Sequence, residues 1–158
     1  MVSLTELWWP IPLSAVFVFV VSSIFHMVIP IHKGDCGKLP GEEKILAEMR
    51  AQGVRPGSYM FPCAASMKDV GSPVMIEKCK LGPVGFLSVI PSGPIAMGKN
   101  LMLWFLYSIL IGVVVAHVAA VGLHRGAGFA PVFHLTGAAA ILGCAMGALP
   151  DSIWKGQK

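Results

Sequence analysis

Residues 100–150 read NLMLWFLYSILIGVVVAHVAAVGLHRGAGFAPVFHLTGAAAILGCAMGALP, and between Lys99 and Asp151 the sole charged side chain is Arg125. The uncharged runs on either side of it, 100–124 and 126–150, are each 25 residues long. At about 1.5 Å rise per residue, either one as a helix exceeds the ~30 Å hydrocarbon core of a bilayer. The LHRGAG that joins them, residues 123–128, is a tight, glycine-bearing connection. The stretch therefore predicts two membrane-spanning helices, 99–123 and 126–150, folded as a hairpin about Arg125.

A third run lies upstream. Residues 7–32, LWWPIPLSAVFVFVVSSIFHMVIPIH, carry no Lys, Arg, Asp or Glu between Glu6 and Lys33. Pro10 and Pro12 stand where proline is tolerated, in a first helical turn, which predicts a helix starting near Pro12 with Trp8 and Trp9 at the interface. A cleaved signal peptide is the competing reading, but a positive leading region and a small-x-small site are both missing. Residues 1–31 are accordingly assigned to a retained first span.

Composition agrees with that organisation. Of 158 residues, 55% are hydrophobic and 13% charged, too few polar groups to cover a soluble domain of this length. The fold class expected is an all-α membrane protein of three transmembrane helices, with a structured loop, 32–98, holding a short amphipathic helix, and a tail, 151–158. The net charge of +4 reports orientation and does not indicate a nucleic-acid partner, because no Arg-rich run or aromatic-basic interleaving is present. Eight Lys or Arg fall in residues 31–98, Lys99 adds another, and Lys155 and Lys158 follow in the tail, against Arg125 alone on the opposite side. The positive-inside tendency then places the loop and C-terminus in the cytoplasm, and the N-terminus and Arg125 turn in the periplasm, of a bacterial inner membrane.

Within the loop, LPGEEKILAEMRAQG (39–53) reads as a helix, with Glu42 and Glu43 in its first turn, Arg50 in its last and Gly53 as its cap. Ile45, Leu46 and Met49 form one apolar stripe on it. RPGSYMFPCA (55–64) is extended, SPVMIEKCK (72–80) is one amphipathic turn or two opened by Ser72 and Pro73, and GFLSVI (85–90) is a strand ended by PSGP.

Chemistry-bearing residues are few. Cys36, Cys63, Cys79 and Cys144 make no C-x-x-C pair, so a zinc site built from His32 and the loop cysteines is disfavoured against unconnected thiols. His26, His117 and His134 lie inside spans, where an ionisable residue is a functional hypothesis by default. His117 and His134 sit at similar depth on either side of Arg125, so a haem iron or a (bacterio)chlorophyll magnesium held by them is weighed against a plain hydrogen bond, for instance to Thr136. No cofactor is required by the sequence. Gly112, Ala116 and Ala120 in the second span, and Ala139, Gly143 and Gly147 in the third, form small-residue stripes that let helices approach closely. One stripe is expected to serve the hairpin and the other to face a different subunit. No Ser-His-Asp spacing, phosphate loop, dinucleotide fingerprint or H-E-x-x-H occurs, and no span holds a carboxylate at mid-membrane, which argues against an enzyme or a transporter.

RAQGVRPGSYMFP (50–62), KLGPVGFLSVIPSGPIAMGKNLMLWFLYSILIG (80–112) and LPDSIWKG (149–156) together resemble a family of small, uncharacterised bacterial membrane proteins, over most of the chain from HMVIPIHKGD (26–35) onward. The resemblance implies a multi-span shape and no activity. Its members tend to continue past the DSIW segment into a fourth span, which implies that a partner supplies what that helix would contact here. The cysteines at 36, 63 and 79 and the histidines at 117 and 134 depart from the family pattern, so the resemblance implies no metal site. The function expected is a non-catalytic accessory subunit of an energy-transducing inner-membrane complex, photosynthetic slightly before respiratory, with other integral membrane subunits and lipid as partners. A haem- or pigment-binding carrier is the alternative, and a membrane enzyme or transporter ranks last.

Overall fold

A computed structural model describes residues 3–29, 34–35 and 37–156. The chain opens on a capped turn. Ser3 Oγ accepts from the Thr5 backbone N–H at 3.3 Å, while the Ser3 N–H donates to Glu6 Oε2 at 3.4 Å, closing a capping box on the 3-10 turn Leu4–Leu7. Trp8 and Trp9 follow, rings edge to face at 5.5 Å. Helix α1 then spans Pro10–Met27. It starts two residues before the expected Pro12 because Pro10 sits at the first helical position, where its missing N–H leaves no bond unmade. Its described course ends at Met27, short of the expected boundary at 31.

Prolines lie in the first turns of other helices as well. Pro73 opens the helix Pro73–Leu81, and Pro131 lies in the first turn of the helix Phe129–Cys144. The same rule corrects the third span, expected as one helix over 126–150. Gly126, at φ 77°, turns the chain, so the helix begins only at Phe129, and it stops at Cys144; a separate helix then runs Ala148–Lys155, where a tail was expected. A continuous helix would drive the Pro150 ring into the carbonyl of Met146 and lose one ladder bond. The interruption at 145–147 places Pro150 in a fresh first turn instead.

The described residues form two compact units, Met1–Cys36 with Ile95–Lys158, and Gly37–Pro94. In order along the chain the regular elements are α1, α2 (Glu42–Ala51), β1 (Gly57–Phe61), α3 (Pro73–Leu81), β2 (Gly85–Val89), α4 (Met97–Gly122), α5 (Phe129–Cys144) and α6 (Ala148–Lys155). Three helical stretches, Pro10–Met27, Met97–Gly122 and Phe129–Lys155 taken through its break, are long and apolar enough to cross a membrane. That fits a membrane-embedded protein.

In the first unit α4 is the centre, with α1 on one side and α5 on another. Ala15 of α1 is 1% exposed, and Phe19 meets Phe105 edge to face at 5.6 Å. The second unit departs from an all-α class. β1 and β2 pair antiparallel, with Gly57 opposite Val89, Tyr59 opposite Leu87 and Phe61 opposite Gly85. Helix α2 ends in a Schellman motif: the Gly53 N–H donates to the Arg50 carbonyl at 3.1 Å and the Val54 N–H to that of Met49 at 3.0 Å, with Gly53 at φ 65°. Ser72 caps α3, its Oγ accepting from the Met75 N–H at 3.2 Å.

Replacing Pro150 with alanine restores the N–H and removes the ring clash. Hydrogen exchange at residues 145–148 should then slow in the variant, with α5 and α6 merging; unchanged protection there would show that the break has another origin.

Candidate functional site

The three spanning histidines occupy separate places. His26, in the last turn of α1, donates from Nδ1 to the Ser22 carbonyl at 2.8 Å. The His117 and His134 side chains are exposed, the latter edge-on to Phe133 at 5.9 Å. The sequence places these two at one depth, but depth says nothing of azimuth. His117 is five residues from Gly122, which faces α5, and so is turned about 140° from that contact. His134 is nine residues from Gly143, which faces α4, and points about 180° away from it. Helical phase therefore aims both rings outward, and the structure does not bring them together.

The small residues do their work inside the chain. A Cβ built on Gly112 would lie 3.5 Å from the Ile11 carbonyl oxygen and 3.4 Å from Ser14 Oγ, so α1 crosses α4 there nearly backbone to backbone. Ala116 and Ala120, on the same stripe, are buried. On the other stripe Ala139 is half-buried, and a Cβ on Gly143 would stand 3.3 Å from Ile111 Cδ1 of α4. Gly147, at the break, faces open space. Gly112 thus meets α1 and Gly143 meets α4, so a residue of each stripe takes part in the chain's own packing. Two further close-packing positions fall outside the stripes. Ala119 is buried, and at Gly122 a Cβ would come within 2.7 Å of a terminal methyl of Leu135. Gly122 breaks the four-residue spacing of its helix, and its signal in the sequence is its place one turn before the Arg125 loop.

Leaning α1 and α5 on different sides of α4 leaves a groove of about 480 Å³ between them. Leu7, Ser14, Trp104, Val115, Thr136 and Cys144 are among the side chains along it. Every hydroxyl that borders it is already donated to a backbone carbonyl. Ser14 Oγ donates to Ile11 at 2.8 Å, Ser108 Oγ to Trp104 at 3.0 Å, Thr136 Oγ1 to Val132 at 2.7 Å, and the Tyr107 hydroxyl crosses helices to Gly143 at 3.3 Å. Such back-bonding is what a hydroxyl does where no water reaches it. What the groove offers is hydrocarbon.

At the end of the bundle where the chain enters α1, Arg125 of the α4–α5 turn forms an ion pair with Glu6. The N-terminal turn and the hairpin turn therefore share one end. His124 donates from Nδ1 to the Arg125 carbonyl at 2.9 Å beside them. Among the described residues no cluster of three His, Cys, Asp or Glu side chains is placed to hold a metal ion. Cys63, Cys79 and Cys144 are exposed free thiols, and His32 and Cys36 lie outside the described residues.

Glycine 112 gives a graded test of this packing. Alanine there meets only ordinary van der Waals contacts, so Gly112→Ala should unfold in detergent close to wild type, while Gly112→Leu drives a side chain into Ile11 and should lose about 1–3 kcal/mol. Gly147→Leu, in open space, should be silent in the same thermal unfolding series; a Gly147→Leu variant as weak as Gly112→Leu would contradict the assignment.

No protein family, curated protein or solved structure matches this chain.

Proposed function

We propose that the chain is a non-catalytic accessory component of a larger membrane complex. The observation that carries this reading is the unit 37–94. A unit of that size holds together by burying apolar side chains, yet here Met75 is the one buried hydrophobic residue, while Leu39, Ile45, Leu46, Met60, Val74 and Phe86 are all exposed. Exposed apolar surface on this scale, on a unit joined at both ends to spanning segments, fits a piece completed by a neighbouring chain. Gly112 and Gly143 do not contribute to the case, since they pack within the chain.

The finer picture follows the charge pattern: a bacterial inner membrane, the N-terminus and Arg125 turn on the periplasmic side, the unit 37–94 on the cytoplasmic side. The Glu6–Arg125 pair supports the part of it that puts those two turns on one side. Energy-transducing assemblies, photosynthetic ones slightly favoured, are the hosts in which small helical subunits of this kind are useful. A haem- or pigment-contacting role is the second reading, favoured by His117 and His134 facing outward on spanning helices, where a chromophore carried by a neighbour would meet a lone imidazole. An absorption spectrum of the natively purified assembly distinguishes the two.

Two outcomes are expected. Solubilised in mild detergent, the tagged chain should migrate on a native gel with other membrane proteins, and Ile45→Ser with Leu46→Ser on α2 should release them while the helical content is unchanged; migration of the wild type as a lone chain would sink the proposal. Cys63 and Cys79, both exposed, should react with a membrane-impermeant thiol reagent only after the inner membrane is opened. Labelling in intact spheroplasts would invert the orientation.

A further inference from the structure

We infer that α6, Ala148–Lys155, lies along the lipid surface of the membrane, with Leu149, Ile153 and Trp154 sunk at the headgroup boundary and Asp151 and Lys155 turned to water. The inference does not depend on the accessory-subunit reading. Sidedness comes first. At about 100° per residue, Leu149, Pro150, Ile153 and Trp154 fall within an arc of about 140°, and Asp151, Ser152 and Lys155 within an opposite arc of about 100°. Helix α5 has no such division. It carries no charged side chain from Phe129 to Cys144, and its Thr136 hydroxyl is donated to the Val132 carbonyl. The residues of α6 suit a boundary, where those of α5 suit hydrocarbon.

Position supplies that boundary. Helix α5 has 16 residues, about 24 Å of helix, and the break at 145–147 carries its path close to the ~30 Å of a hydrocarbon core. The chain therefore reaches the edge of the lipid where α6 begins, and a membrane surface is at hand there before any partner arrives. Were α6 upright, its surroundings would change along its axis. Its residues differ around the axis instead: Leu149 and Ile153 share a side, while Asp151, midway between them in the chain, faces the other way. An axis in the plane of the membrane is the orientation that satisfies this pattern.

The side chains agree. Ile153 is 76% and Trp154 79% exposed, so the chain's own helices leave the apolar arc open. An indole, with its apolar body and single N–H, is a side chain of the membrane interface. On the opposite arc Lys155 Nζ pairs with Asp151 Oδ1 at 2.8 Å, one turn apart and both partly exposed. The acid stands in the first turn and the base in the last, as the helix dipole favours. Gly156, at φ 62°, then closes α6, its N–H donating to the Ser152 carbonyl at 3.1 Å. A lipid surface matches both arcs at once, with hydrocarbon beneath one and water above the other.

The test uses the full chain in vesicles of phosphatidylcholine and phosphatidylglycerol, its four cysteines replaced by alanine and a nitroxide placed singly at residues 149 and 151–155. Access of oxygen, which concentrates in lipid, and of a water-soluble nickel chelate should follow the helical repeat. Leu149, Ile153 and Trp154 positions should favour oxygen several-fold and lie at one shallow depth, while those of Asp151, Ser152 and Lys155 favour nickel several-fold. With the native cysteines kept, the Trp154 fluorescence is the difference between wild type and Trp154→Phe. Lipids brominated near the top of the acyl chain should quench it more than lipids brominated near the methyl end. A depth that changes steadily from 149 to 155 would make α6 the end of an upright span, and nickel access on all sides would put it in water. Shielding of 149, 153 and 154 from both reagents would assign the arc to a protein contact. Each of those results, or Trp154 fluorescence that neither lipid quenches or that the deeper one quenches more, would overturn the inference. None of them bears on co-migration with other membrane proteins, by which the accessory role is judged.

Discussion

In hydrocarbon, a leucine or phenylalanine left on the outside of a helix carries no hydrophobic penalty, so helices adhere only where their backbones come close enough for dense contact. Helix α4 supplies both such places. Gly112 admits the Ile11 carbonyl of α1, and Gly122 with Ile111 admits Leu135 and Gly143 of α5. Once α1 and α5 are fixed to separate faces of one helix, the remaining features of the spanning unit follow: the groove between them, the outward aim of the histidines, and the meeting of the two turns at one end.

A second constraint runs through the same unit. A backbone polar group in lipid has no water to turn to, and neither does a hydroxyl. Ser14, Ser108 and Thr136 answer by bonding to the carbonyl three or four residues before them, which leaves their helices apolar on the outside although the sequence reads as interrupted by polar residues. Proline is handled by position. Pro10, Pro12, Pro131 and Pro150 all sit in first turns, where no ladder bond is expected of them.

The three long apolar helices were legible because a long run without charge means the same thing in any context. Helix α2 and its Gly53 cap were legible for a related reason: caps are local. The break at 145–147 was readable in principle, since Pro150 obeys the rule that places Pro10, but the uncharged run hid it. Strand β2 could be seen in GFLSVI, while its partner GSYMF passed as merely extended, because pairing across a separation of some 28 residues leaves no local mark. The histidines fared differently. Equal distance from Arg125 set their height and left their direction open, and direction is fixed by which residues of α4 and α5 are small. The groove had no signature at all, being a space defined by three helices rather than a pattern on any one of them.

The Glu6–Arg125 pair joins residues 119 positions apart, and so it bears on the order in which the molecule is made. Helix α1 leaves the synthetic machinery long before the turn that holds Arg125 exists. Until that turn has been made, Glu6 does not have this cation to face. The clasp at the end of the bundle thus becomes available only once residue 125 has been made, and the contacts that α5 makes with α4 come later still.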